Sequence, residues 1–231
     1  MTHISGTDRS GTDRSGTDIS GTDISGSDGS GPAKIKLCGL SRPCDITAAN
    51  ALRPDYIGFV FAPKSRRYVS KEQALRLRSM LDPSIKTVGV FVDTKIEEIA
   101  RMYEEGVIDI AQLHGSEDDV FIRRLKELMP GPVIKAVRVG SAKDAEEAEG
   151  SAADHILFDS GAGTGEVFDW SMLGGIRRPY FLAGGLDTEN VAEALHYLHP
   201  FAVDVSSGIE TDGFKDEAKM RDFVFKVRNT L

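Results

Sequence analysis

Cysteine is scarce in this chain: its 231 residues hold two, Cys38 and Cys44. Their C-x5-C spacing matches no zinc pattern, and two thiols are too few for a disulfide framework. Long apolar runs are missing too. None approaches the ~20 residues needed to span a bilayer, and the first residues lack the basic-then-apolar order of a secretory signal. A cytoplasmic protein with no membrane partner is therefore expected. Nor is there any excess of basic charge. The net charge is -8, with no clustered basic face to neutralise phosphates, which excludes a general nucleic-acid partner but leaves room for a local anion site. What the chain does have is 40% apolar residues, enough for a sizeable core.

Residues 4 to 28 are five near-perfect pentads, ISGTD, RSGTD, RSGTD, ISGTD and ISGSD, followed by GSGPA. With almost nothing apolar to offset the entropy of ordering, residues 1 to 33 read as a disordered, low-complexity leader. The evenly spaced aspartates suggest a calcium array, but a five-residue period fits neither an EF-hand loop nor the glycine-aspartate nonapeptide repeat.

After Pro32 short apolar runs alternate with charged, helix-periodic stretches, the pattern of a parallel sheet with helical crossovers. Eight strands are expected: 34–40, 56–61, 87–92, 110–115, 133–139, 155–160, 180–186 and 201–208. Helical patterns include KEQALRLRSML, KIEEIARMYEE, DDVFIRRLKEL, TENVAEALHYL and the terminal DEAKMRDFVFKVRNTL. The DWSMLGG stretch after the sixth strand is too short for more than a turn or two. A single compact (β/α)8 TIM barrel over residues 34 to 231 fits this order, close to the lower limit of about 200 residues for that fold. An open Rossmann or flavodoxin-like sheet needs five or six strands and a glycine fingerprint, and CGLSRP after the first strand does not supply one.

In such a barrel the chemistry gathers at the C-terminal strand ends. There the sequence puts Cys38 and Gly39 on strand one, His114 on four, Asp159 on six, Gly184 and Gly185 on seven, and Asp204 with Ser206, Ser207 and Gly208 on eight. The second strand runs into APKSRRY, which carries Lys64, Arg66 and Arg67 to the same mouth. The glycines and hydroxyls after strands seven and eight suit a phosphate site, although tight turns alone also use glycine. Cys38 and Asp159 would face each other across the mouth. A thiolate that takes a carbon-bound proton, opposite a carboxylic acid that gives one to an oxygen, suits a sugar isomerisation without metal. Cys44 reads as structural.

The motifs KLCGL, GFVFAPKSRRYVS, VGVFV, QLHG, IKAVRV, FDSGAGTGEVFDW, LAGGL and FAVDVSSGIE, in this order, resemble those of the phosphoribosylanthranilate isomerase family. The resemblance covers essentially everything from Lys34 to Leu231. It implies an Amadori rearrangement of N-(5'-phosphoribosyl)anthranilate to 1-(2-carboxyphenylamino)-1-deoxyribulose 5-phosphate, in tryptophan biosynthesis, with no cofactor and no metal. It further implies Cys38 as general base, Asp159 as general acid and Arg67 by the anthranilate carboxylate. Gly184, Gly185, Ser206, Ser207 and Gly208 would hold the phosphate, Asp204 would support the site or contact the ribose, and His114 would line or orient it. Arg66 reads as a solvated neighbour. The partner implied is a small phosphosugar-anthranilate molecule, bound by a monomer or a homodimer. Two departures stand out: the loop after strand six is short, with Glu166 where many relatives carry lysine, and the pentad leader has no counterpart. Other phosphosugar barrels share the phosphate loops but lack the Cys-Asp pair. A thiol with an ordinary pKa near 8.5 is only a few per cent ionised at neutral pH, so Cys38 needs assistance that the sequence does not identify.

Overall fold

The computed structural model describes residues 31–160 and 169–230. The pentads and most of the short loop after strand six, with Glu166, lie outside them.

Eight parallel strands close into a barrel in sequence order. They are β1 (Lys34–Cys38), β2 (Tyr56–Val60), β3 (Lys86–Phe91), β4 (Ile110–Leu113), β5 (Val133–Arg138), β6 (His155–Asp159), β7 (Tyr180–Leu182) and β8 (Ala202–Val205). Closure comes from β1 against β8, where Lys34, Ile35, Lys36 and Leu37 pair with Ala202, Val203, Asp204 and Val205. The strands end earlier than the apolar runs suggest. In β7 and β8 this leaves Gly184, Gly185, Ser206, Ser207 and Gly208 in loops, where their backbone is not consumed by the ladder.

The crossover helices are α1 (Pro43–Leu52), α2 (Lys71–Arg78), α3 (Ile96–Glu104), α4 (Asp119–Leu128), α5 (Ala142–Ala148) and α6 (Val191–Leu198), and α7 (Glu217–Asn229) follows the last strand. Local chemistry sets their starts. Proline opens α1, and Asp45 accepts from the backbone N–H groups of Ser41 and Arg42, while Ser70, Asp118 and Asp216 cap α2, α4 and α7 with their side chains. The β6–β7 connection is as short as DWSMLGG suggests: among the described residues, only a 3₁₀ turn, Trp170–Leu173, lies there. A short hairpin, β9 (Glu210–Thr211) and β10 (Phe214–Lys215), stands between β8 and α7.

Alternation along the strands makes two apolar layers. Ile35, Leu37, Ile57 and Phe59 face outward and pack with helical residues such as Ile46, Ala49, Leu77 and Phe223. Inside, Tyr56, Val88, Ile110, Ile134, Leu157 and Phe181 fill the barrel, and Cys38, Val60 and Val90 form a smaller group above them. Among the described residues no helix is long and apolar enough to cross a membrane.

Candidate active site

A cavity of about 710 Å³ opens at the C-terminal end of the barrel, lined among others by Cys38, Arg67, His114, Asp159, Gly184, Gly185, Asp204, Ser206 and Ser207. Nine of the ten residues singled out from the sequence thus share one hollow. The tenth, Gly208, sits behind the wall, paired with Asp187, where a Cβ would strike the Leu186 carbonyl. Lys64 and Arg66 also line the mouth, as the APKSRRY loop suggested.

Asp159 is the last residue of β6 and nearly buried. His114, just beyond β4, places Nε2 3.2 Å from its Oδ2. Gly184 crosses directly over this carboxylate: a Cβ there would meet the Ser160 backbone N–H and come within 2.9 Å of Asp159 Oδ1. Its φ of 81° is a second reason for glycine. The following loop is tied down by Asn190, whose Nδ2 donates to the Gly185 carbonyl and whose Oδ1 accepts from Asp187 N–H.

Cys38 ends β1 on the interior face, and Lys36 shares that face two residues earlier. Lys36 is fully buried, with Nζ 3.0 Å from both oxygens of Asp204 on β8. Sequence reading passed over this lysine as part of an apolar run. Strand parity held the signal, because a lysine in phase with an interior cysteine requires a counter-charge, and Asp204 is its register partner. Burial pushes the Cys38 thiol above its ordinary value, and Asp204 adds to this, while Lys36 and then Lys215 pull the other way. Burial likewise works against the Lys36 ammonium, but Asp204 and Cys38 together outweigh it and hold Lys36 above its ordinary value.

Glu210 was missed as well. Its carboxylate, on the hairpin after β8, accepts from Arg67 Nε at 2.6 Å and Nη2 at 3.0 Å, from Arg66 Nη2 at 2.6 Å and from Lys215 Nζ at 2.6 Å. Burial raises its pKa, but Arg67 and Lys215 outweigh burial and hold it below the usual carboxylate range. Arg66 is solvent-facing, as expected, yet paired. For Arg67 the arrangement commits two of five N–H donors to Glu210. Three remain for a ligand carboxylate.

Lys215 Nζ also donates to the carbonyl and Oγ of Ser206, whose hydroxyl donates to the Cys38 carbonyl at 3.1 Å. That hydroxyl therefore ties the β8 loop to β1, and an anion in this corner is left to Ser207 and the backbone. The chain turns from here into the hairpin and not directly into a helix, so α7 lends no N-terminus to the loop. A last missed residue is Gln112 on β4: it lines the cavity at 1% exposure, and its Oε1 has no hydrogen-bond partner. A buried amide oxygen left in this state costs on the order of 1–3 kcal/mol, which a ligand donor would recover.

The arrangement offers an acid and a thiol around one hollow, a guanidinium at one rim and glycine-rich loops at another. A sequence model of the family described as N-(5'phosphoribosyl)anthranilate (PRA) isomerase matches residues 35–226. The N-(5'-phosphoribosyl)anthranilate isomerase of Endomicrobium trichonymphae is 47% identical over 201 residues, covering 85% of this chain and 98% of that protein. Among solved structures, the phosphoribosyl anthranilate isomerase of Thermus thermophilus superposes with a TM-score of 0.77 at 34% identity, over 84% of this chain and 98% of that one. A phosphoribosyl anthranilate isomerase in complex with reduced 1-(o-carboxyphenylamino)-1-deoxyribulose 5-phosphate gives 0.77 at 37% identity, over 85% and 98%.

Proposed function

The chain belongs to the N-(5'-phosphoribosyl)anthranilate isomerase family of tryptophan biosynthesis, and from that premise we propose that Cys38 and Asp159 carry its isomerisation as base and acid. The observation that supports this reading is their presence in one cavity that also holds Arg67 and the two glycine- and serine-bearing loops.

The sugar phosphate lies toward Gly184, Gly185, Ser207 and the turn at Gly208, with the anthranilate carboxylate at the free N–H groups of Arg67. Asp159, steadied by His114, protonates the ribose ring oxygen. The ring C–O bond breaks as the anilino nitrogen donates its electron pair, leaving an iminium at C1. That positive charge acidifies the C2–H, and the Cys38 thiolate removes the proton to give an enolamine. Protonation at C1 and loss of the C2 hydroxyl proton complete the aminoketose, so the reaction is internally balanced and consumes no co-reactant. Gln112 hydrogen-bonds a sugar hydroxyl from the cavity wall. Asp204 acts from behind, through Lys36.

The test is turnover of N-(5'-phosphoribosyl)anthranilate, followed by loss of its fluorescence. Wild-type protein should be active, and Cys38→Ser and Asp159→Asn should each lose about 10²–10⁴-fold in kcat, the usual range for a lost proton-transfer group. Variants as active as wild type would remove this mechanism; an inert wild type would remove the activity itself.

A further inference from the structure

We propose that Lys36 is a positioning residue for the thiol: held in the barrel interior by Asp204, its ammonium favours the Cys38 thiolate and so sets how much base is available. The inference rests on the reading of Cys38 as the base.

The geometry is specific. Lys36 and Cys38 are inward-facing neighbours on β1, and Lys36 is among the largest fully buried side chains of the molecule. A lysine costs several kcal/mol to bury in charged form, and an aliphatic pair of similar volume in place of a buried ion pair is often neutral or stabilising. Stability alone therefore gives little reason for a lysine and an aspartate at this level of the barrel. Asp204 anchors the ammonium with both oxygens from the paired strand, on the inward face of β1 that also carries the thiol.

Among the described residues, two other charged groups act on the thiol. Asp204 faces it from β8 and opposes ionisation; Lys215 faces it from β10 and favours it. On β2 its register partner is Gly58, where a Cβ would lie 2.7 Å from Sγ, so that strand presents backbone and the apolar Val60 to the thiol, and no charge. Lys215 already serves Glu210 and both oxygen atoms of Ser206. Among the described residues, Lys36 has Asp204 alone as a partner besides the thiol.

The experiment measures the rate of Cys38 carboxamidomethylation by iodoacetamide against pH, by mass spectrometry, in a Cys44→Ser background that removes the exposed second thiol. Lys36→Met should shift the profile to higher pH and slow labelling at pH 7.5 about tenfold, equivalent to ~1.4 kcal/mol. Because that variant leaves a buried carboxylate unpaired and can fail to fold, the double variant Lys36→Met/Asp204→Leu, which removes both charges, is measured beside it. It too should label more slowly than the parent, since the lysine outweighs the aspartate at the thiol. A profile that superimposes on the parent in whichever variant folds overturns the inference. Labelling does not depend on turnover, so failure of the base reading shows up separately, as a Cys38→Ser enzyme with full activity.

Discussion

Glu210 grips the guanidinium of Arg67 side-on, through Nε at 2.6 Å and Nη2 at 3.0 Å, while the same carboxylate holds Lys215 of the following strand. The loop after β2 and the hairpin after β8 are thereby locked together across β1. Gly39 lies beneath the crossing with φ 78°, at a place where a Cβ would come within 2.5 Å of Arg67 Cδ.

Glu210→Gln keeps the shape but halves the acceptors and removes the charge that balances three cations. Arg67 then loses its orientation before substrate arrives. KM for N-(5'-phosphoribosyl)anthranilate should rise about 10- to 100-fold, or ~1.4–2.8 kcal/mol, with a smaller fall in kcat. Steady-state kinetics that show an unchanged KM would mean that Arg67 does not need this support.

Gly184→Ala places a methyl against Ser160 and Asp159 in a left-handed backbone conformation. The left-handed backbone alone costs about 1–2 kcal/mol. Urea denaturation should show at least this loss, and displacement of Asp159 should lower kcat as well. A variant that is less stable but fully active would separate the loop's packing from the acid.

His155 stacks on Phe201 and meets the edge of Phe181 at the opposite end of the barrel, with its Nδ1 buried and unpartnered. Burial holds its pKa below the ordinary histidine value, and Lys34 and Arg178 add to this against Asp154. The unfolded chain therefore takes up the proton first. Stability from this site is complete above about pH 6.5, the ordinary value, and falls as the pH drops through the depressed folded value. His155→Leu should flatten that segment of a plot of urea midpoint against pH. A slope as steep as in wild type would assign the acid sensitivity elsewhere.

Deletion of residues 1–31 should leave both turnover and urea midpoint within error of the full chain. The barrel closes at Lys34, whose N–H donates to the Phe201 carbonyl at 2.9 Å, and every site residue lies beyond it. A marked loss of either property would show that the pentads contribute to the folded enzyme.

The barrel was legible because each strand is an apolar run bounded by a charged helical stretch, and β1 through β8 appear where those runs lie. Strand ends were less legible: YFLAGGL continues apolar past Leu182, yet only three of its residues join the ladder, because the glycines that follow turn away. Cys38 and Asp159 stood out as reactive residues at strand ends. Lys36, Gln112 and Glu210 did not. A lysine inside an apolar run looks like an interruption until a paired strand supplies its aspartate, and a glutamine in QLHG looks like any polar residue until its oxygen is found buried without a partner.

By itself the sequence determined the order of strands and crossovers, the family, and the residue types gathered at the mouth, because these follow from local periodicity and from motifs read in order. Only the tertiary structure decided which charges meet. Lys36 and Asp204 are separated by most of the chain, as are Arg67 and Glu210, and closure of β1 on β8 is what brings each pair within hydrogen-bonding distance. Electrostatic coupling depends on that distance and on exclusion of water, neither of which is written in the local sequence.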